Sequence, residues 1–170
     1  MAEKRLWEWP VRLCHWSLAG LVAVNFVEDS GDYPHRLLGY IAVVVVVARI
    51  TWGVFTRSNG QLRRLRPSVR ETLLYASQLR KGAIPRYVGH NPLAVWMIWL
   101  IWSVVLLLGV TGWMSRLDAF WGDDTVHLVH ELLADLLLAC VGLHLVAVAV
   151  MSVLLKENLV LSMLFRRSSR

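Results

Sequence analysis

The sequence predicts an all-α integral membrane protein, a four-transmembrane-helix bundle with both termini in the cytoplasm. Of its 170 residues, 56% are hydrophobic and only 18% are charged, which is too apolar for an ordinary soluble domain. Nine residues are tryptophan, which collects at membrane–water interfaces. Basic residues are concentrated in alternate connections between four long apolar stretches, as expected for a chain that crosses a bilayer four times.

Each of the four apolar stretches reaches the roughly 20 residues that a helix needs to cross the bilayer core. Within a single domain of residues 1–170, the predicted spans cover about 11–27, 35–55, 92–114 and 126–155. We interpret the first as a span rather than a cleaved signal peptide, because no small-x-small cleavage site follows it and Glu28-Asp29 come next.

The distribution of basic residues predicts the orientation. Fifteen of the 18 Lys and Arg residues fall on one side of the predicted bundle, namely Lys4, Arg5, Arg12, Arg57, Arg63, Arg64, Arg66, Arg70, Arg80, Lys81, Arg86, Lys156, Arg166, Arg167 and Arg170. Because basic segments stay in the cytoplasm, both termini and the loop 56–91 are expected there. This distribution also accounts for the net charge of +6 without a nucleic-acid partner.

The cytoplasmic loop 56–91 contains a predicted helix at about 68–81. Ser68 and Glu71 have the spacing of a helix-capping box, and apolar and basic residues alternate after them. Two interpretations stay open: a helix on the membrane surface with its arginines toward anionic headgroups, or a helix packed under the bundle.

Four of the six histidines fall at two depths in the predicted spans. His130 and His144 are 14 residues apart, which separates them by about 21 Å along one face of the fourth span. With the termini in the cytoplasm, His130 lies near the periplasmic surface and His144 near the cytoplasmic one. His15, early in the first span, matches the depth of His144, and His35, at the start of the second, matches that of His130.

Two histidine pairs at two depths can hold two planar iron cofactors inside a four-helix bundle. Bis-histidine ligation leaves the iron without an open position, which favours electron transfer over ligand chemistry. The sequence has no C-x-x-C-H motif, so any haem is non-covalent and of b type. Zinc is a weaker interpretation, because the two pairs are too far apart to share one ion.

Arg49 is the candidate partner of a cofactor anion. It lies 14 residues after His35, on the same face and at the depth of the cytoplasmic-side pair. A buried arginine needs an anion, which a haem propionate would supply. Arg12 and Arg36 are interpreted as interfacial charges, with the propionate role as the alternative.

The remaining candidates have plainer interpretations. His90 is interpreted as a loop residue before the start of the third span at Asn91-Pro92, and Cys14 as a packing residue. His127 lies three residues before His130 on the same face and is its rival as a ligand.

Six segments, taken together and in their order along the chain, resemble the bacterial cytochrome b561 family and the related b-type subunits of nickel–iron hydrogenases. The segments are Trp9-Pro10-Val11-Arg12-Leu13-Cys14-His15-Trp16, His35-Arg36-Leu37-Leu38-Gly39-Tyr40, Arg49-Ile50-Thr51-Trp52-Gly53, Gly89-His90-Asn91-Pro92-Leu93, His130-Glu131-Leu132-Leu133-Ala134-Asp135 and His144. The likeness covers nearly the whole chain. One departure is Asp135, where the family often has Asn; an acid there would alter a haem potential, accept a proton or simply face the surface.

The resemblance implies a di-haem b cytochrome of the bacterial inner membrane. It assigns His15 and His144 to the cytoplasmic-side haem and His35 and His130 to the periplasmic-side haem, and it selects His130 over His127. Such relatives exchange electrons between the quinone pool and a redox partner. The alternatives are a membrane subunit that anchors a periplasmic hydrogenase-type enzyme, a superoxide:quinone oxidoreductase, and a non-redox four-helix scaffold.

The predicted periplasmic loops favour a cationic partner. They contain Glu28, Asp29, Asp32, Asp118, Asp123 and Asp124 against Arg36 and Arg116. A net negative surface repels superoxide and attracts a positively charged carrier such as a c-type cytochrome. The sequence has no catalytic triad, nucleophilic Cys/His motif or phosphate-binding loop, so conventional acid–base catalysis is not predicted.

Overall fold

A computed structural model describes residues 8–57, 61–85, 87, 89–120 and 123–164. The described residues form six helices: α1 (Trp9–Val27), α2 (Tyr33–Phe55), α3 (Val69–Arg80), α4 (Pro92–Met114), α5 (Asp124–Leu155) and α6 (Leu159–Leu164). Short 3₁₀ turns occupy Leu62–Leu65 and Asp118–Phe120. The helices α1, α2, α4 and α5 are long and apolar enough to cross a membrane, which confirms the predicted four-helix membrane fold.

Proline and capping residues define where the long helices begin. Pro10, Pro34 and Pro92 lie in the first turns of α1, α2 and α4, where an amide hydrogen would have no helical partner. The Asn91 side chain accepts a hydrogen bond from the Ala94 amide at 2.8 Å and so caps α4. Asp123 caps α5 by accepting from the Thr125 amide at 2.8 Å.

The long helices pack in the order α1, α2, α4, α5. Their shared core contains small and β-branched residues, such as Ala42 and Val46 of α2 and Val104 of α4, together with Leu137 of α5. Many leucines and valines on the outer faces stay exposed, as they would toward lipid tails. In lipid, close packing rather than the hydrophobic effect holds such helices together.

Gly109 allows α2 and α4 to approach closely. A β-carbon built at this position would collide with Cγ2 of Val43. The Val43 side chain is β-branched and has one strongly preferred rotamer in a helix, so it cannot easily turn away. Glycine is therefore required here for the observed helix packing.

Described residues of the loop 56–91 contact the first half of α4. Trp99 donates its indole N–H to the Leu65 carbonyl at 2.6 Å, and Trp96 donates to the Thr72 hydroxyl at 3.1 Å. Ser68 caps α3 by accepting from the Glu71 amide, as the capping pattern predicts.

The two faces of α3 differ in their exposure. Its Tyr75 is only 1% exposed and packs under the bundle, while Leu73 and Leu74 remain exposed. The helix thus packs one face against the protein and exposes another, and its location on the membrane surface stays a prediction.

The carboxyl-terminal helix α6 contacts the beginning of α1. The chain reverses after α5 at Lys156, which has a left-handed φ of 53°. Arg12 donates from Nε to the Met163 carbonyl at 2.9 Å and from Nη2 to the Leu164 carbonyl. The beginning of α1 and the helix α6 therefore lie at the same end of the bundle. Of the predicted cytoplasmic cations, Lys4, Arg5, Arg86, Arg166, Arg167 and Arg170 lie outside the described residues.

We expect Gly109→Ala to destabilise the bundle by about 1–3 kcal/mol, the usual cost of overpacking a well-packed contact. The measurement is the thermal unfolding midpoint of the purified protein in detergent. The double variant Val43→Ala/Gly109→Ala removes the opposing methyl groups and should be more stable than Gly109→Ala alone. A Gly109→Ala protein as stable as the wild type would contradict the close approach of α2 and α4.

Candidate functional site

The bundle brings together the two histidine pairs that were predicted from their depths. The ring centroids of His15 on α1 and His144 on α5 are 6.2 Å apart. Those of His35 on α2 and His130 on α5 are 6.3 Å apart. All four rings are partly buried. We call these the His15–His144 site and the His35–His130 site.

His127 and His130 differ in their surroundings although both lie on α5. His127 is exposed, whereas His130 is partly buried beside His35. Gly112 of α4 makes room for the His130 ring, since a β-carbon there would stand 3.4 Å from its Cε1 atom. Within the described part of the chain, His130 and not His127 is therefore the histidine paired with His35.

A backbone carbonyl orients His35. Its Nδ1 lies 2.6 Å from the carbonyl oxygen of Glu28, in the turn that joins α1 to α2. A carbonyl oxygen can only accept, so Nδ1 must carry the proton and donate it. The other nitrogen, Nε2, then has a free lone pair and is the one able to bind a metal.

A hydroxyl orients His130 in the same way. Its Nδ1 lies 2.8 Å from Oγ1 of Thr111, which is only 8% exposed. The Thr111 hydroxyl also lies 3.0 Å from the Leu107 carbonyl, which can take its single proton. The Thr111 oxygen is then free to accept from Nδ1 of His130, which again leaves the Nε2 lone pair available.

The His15–His144 site has a different environment. Nδ1 of His15 is buried and has no hydrogen-bond partner among the described residues. The His15 ring packs edge-on against Trp16 at a centroid distance of 5.1 Å. The two sites therefore have similar ring spacings but different hydrogen bonding at the nitrogens behind the rings.

The side chain of Asn25 joins α1 to the first turn of α2, which contains His35. With its amide oriented to satisfy both neighbours, Asn25 donates to the His35 carbonyl at 3.1 Å and accepts from the Gly39 amide at 3.2 Å. This polar residue inside a span thereby helps to position His35.

Arg49 is a buried cation, only 6% exposed. Its guanidinium lies 5.3 Å from the ring centroid of Trp52 and 5.7 Å from that of Trp102, within the range of cation–π attraction. Gly53 leaves space for it, since a β-carbon there would stand 2.8 Å from Nη1 of Arg49. Arg49 interacts electrostatically with Cys14, the neighbour of His15. It therefore lies on the side of the His15–His144 site, as its depth predicts.

His90 also belongs to this region, although the sequence indicates only a loop residue. Burial, and after it electrostatic repulsion from Arg49, His15 and His144, lower the pKa of His90 to about 4. His90 is therefore uncharged at neutral pH. The Gly89-His90-Asn91-Pro92 turn thus places a neutral imidazole close to the His15–His144 site.

Four other predicted candidates are not members of the two ring pairs. The Arg12 guanidinium binds the carbonyls of Met163 and Leu164 in α6, and both of its predicted roles stay predictions. Arg36 is partly buried at the start of α2, and Asp135 is exposed on α5. Cys14 is partly buried and has a free thiol, so the packing interpretation stays a prediction.

The ring spacings test whether each pair fits a bis-histidine metal. Such a site places its ring centroids about 6 Å apart, because each metal–nitrogen bond is about 2 Å long and each centroid lies about 1 Å behind its nitrogen. Both observed spacings agree with this value. No group of three or more His, Cys, Asp or Glu residues among the described ones could hold a metal ion. A haem iron needs only two ligands from the protein, which one such pair of imidazoles could supply.

The polar residues behind the rings could not be assigned from the sequence. Thr111 and Asn25 appear there only as isolated polar residues within apolar stretches. Their presence inside predicted spans is the available signal, since polar groups in a bilayer are costly unless paired. Which ring each one meets depends on helix packing that spacing alone does not determine.

One comparison with known proteins gives a match. A family model described as prokaryotic cytochrome b561 matches residues 6–166, which include all four long helices and all six histidines. This confirms the family suggested by the sequence. No curated protein and no solved structure matches the chain.

We expect Gly112→Val to impair cofactor binding at the His35–His130 site, because the added methyl groups would displace the His130 ring. The measurement is the haem content of the purified protein. Gly112→Ala is the matched control: its β-carbon makes an almost ordinary contact, so it should retain far more haem. Wild-type haem content in Gly112→Val would contradict the close approach of Gly112 and His130.

Proposed function

Because the chain belongs to the prokaryotic cytochrome b561 family, which consists of b-type membrane cytochromes that transfer electrons, we propose that it holds two b haems and exchanges electrons between the quinone pool and a periplasmic redox partner. The observation that supports this most directly is the pair of ring spacings, 6.2 and 6.3 Å. The haem iron supplies one-electron chemistry by changing between its ferric and ferrous states.

The chain's own residues support bis-histidine ligation. His15 and His144 would bind one haem, and His35 and His130 the other. The bonds from Nδ1 of His35 and His130 hold each ring in the tautomer that a metal requires. A haem iron held by two histidines would have no open position for oxygen or substrate, which suits electron transfer.

Arg49 would bind a propionate of the haem in the His15–His144 site. Its guanidinium is buried near this site and is fixed between two tryptophan rings. A cation in such a place is stabilised by an anion, and a carboxylate fits the planar guanidinium. The residue would thus orient the haem and offset its negative charge.

We place the two chain ends and the loop 56–91 in the cytoplasm of a bacterium, with the bundle in its inner membrane. The basic residues of α3 and of the preceding 3₁₀ turn support this orientation. The His15–His144 site then faces the cytoplasm and the His35–His130 site faces the periplasm.

The acidic connections between the helices indicate the kind of periplasmic partner. Hydrogen bonds from the Thr125 side chain and amide lower the pKa of the Asp123 carboxyl, so it stays ionised over a wide pH range. Asp118 and Asp124 add further negative charge at this end of the bundle. Such a surface attracts a cationic protein, of which a c-type cytochrome is the simplest example.

The first experiment counts haems. We expect two b haems per chain in the pyridine haemochrome assay, and the loss of one in each of His15→Ala and His35→Ala. His127→Ala is the matched control and should keep both, because His127 is exposed and paired with neither site. A single haem in the wild type, or the loss of a haem in His127→Ala, would contradict the paired-ligand assignment. Correctly folded protein without haem would favour a non-redox scaffold.

The second experiment tests the electron partners in proteoliposomes. We expect quinol to reduce the haems, a quinone-site inhibitor to block this, and a cationic c-type cytochrome to accept the electrons. Asp123→Asn/Asp124→Asn should slow the last step several-fold at low ionic strength. Asn still caps a helix, so the fold is retained.

The control for this experiment is Glu71→Gln on α3, which removes one negative charge at the opposite end of the bundle and keeps a capping-box residue. It should transfer electrons to the c-type cytochrome at the wild-type rate. Reduction of the haems by superoxide at a near diffusion-limited rate would instead identify a superoxide:quinone oxidoreductase. Copurification with large iron–sulfur and nickel subunits would identify a hydrogenase anchor.

A further inference from the structure

We propose that Thr111 is a positioning residue of the His35–His130 site, whose hydroxyl lowers the reduction potential of the haem held there. The inference rests on the proposed function, because it takes His35 and His130 as haem ligands. It goes further because Thr111 is not itself a proposed ligand. We assign it a measurable effect on the reduction potential of one haem and no effect on that of the other.

The burial of Thr111 indicates that it has a specific partner. Among the described residues, the buried side chains that are charged or polar are those of Arg49 and Thr111. Arg49 lies on the side of the His15–His144 site, and Thr111 lies at the His35–His130 site. The two buried polar side chains of the bundle are thus divided between the two ring pairs.

The direction of the hydrogen bond determines the electronic effect. The carbonyls of Leu107 and Leu108, 3.0 and 3.2 Å from Oγ1, can only accept, so the Thr111 proton points to them. The Thr111 oxygen therefore accepts the Nδ1 proton of His130 at 2.8 Å. An imidazole that donates from Nδ1 is a stronger electron donor at Nε2, which stabilises ferric iron and lowers the potential.

Thr111 is the part of this arrangement that substitution can remove. The corresponding bond of His35 goes to a backbone carbonyl, that of Glu28, which no side-chain change deletes. The alternative is a purely structural role. In that case the Thr111 hydroxyl bonds only to carbonyls of its own helix, and this bond has no effect on His130. A reduction potential separates the two roles, since only the bond to His130 acts on the iron.

The test compares Thr111→Val, which keeps the shape and deletes the hydroxyl, with Thr111→Ser, which keeps the hydroxyl. Both are made in the His15→Ala background, in which the haem of the His35–His130 site is expected to remain, and the midpoint potential is measured by spectroelectrochemical titration. We expect Thr111→Val to favour reduction about tenfold, a rise of about 59 mV for one electron. Thr111→Ser should stay near the parent value.

The same substitutions in the His35→Ala background, which should retain only the other haem, provide the control. An unchanged potential there and a raised one in the His15→Ala background would support the proposal. An unchanged potential in both backgrounds, an equal shift in both, or equal shifts for Val and Ser would overturn it. If Thr111→Val loses its haem, Thr111→Ser decides: haem retained at the parent potential supports the hydroxyl's role, and haem lost overturns it. Failure of the two-haem assignment would already appear in the haem counts of the two backgrounds.

Discussion

The fold depends on one constraint: a polar group inside a bilayer must find its partner within the protein. The imidazoles, the Arg49 guanidinium and the Thr111 hydroxyl all lie in helices that are otherwise apolar. Helix packing places His35 against a turn carbonyl, His130 against a hydroxyl and Arg49 between two tryptophan rings. Glycines at the same points, such as Gly53 and Gly112, leave the room that these side chains occupy. The positions of the polar groups therefore depend on the small residues beside them.

The two ring pairs are similar in spacing and different in surroundings. At the His35–His130 site, both Nδ1 atoms have an acceptor, and the nearby loops are acidic. At the His15–His144 site, Nδ1 of His15 is buried without a partner among the described residues, and the cation Arg49 lies close by. Electron density at the ligands and local charge are two of the means by which a protein adjusts a haem. The bundle thus repeats one arrangement of two imidazole rings in two electrostatic environments.

Much of the fold and the pairing of the histidines could be predicted from the sequence, because both follow from one-dimensional regularities. Helix length, charged connections and a 14-residue spacing place His15 opposite His144 and His35 opposite His130. The contacts of Thr111 and Arg12 could not be predicted in this way. Thr111 meets His130 through the packing of α4 against α5, and Arg12 meets α6 through the change of chain direction after α5. Such contacts depend on helix rotation and tertiary packing.

The position of α5 in the chain has a consequence for how the protein is made. Each ring pair takes one histidine from α5, which follows α1, α2 and α4 in the chain. The helices α1, α2 and α4 can enter the membrane earlier, since each is apolar enough to do so alone. Neither ring pair exists until α5 is inserted, and the contact of α6 with Arg12 forms later still. A chain truncated before α5 would therefore enter the membrane with neither ring pair formed.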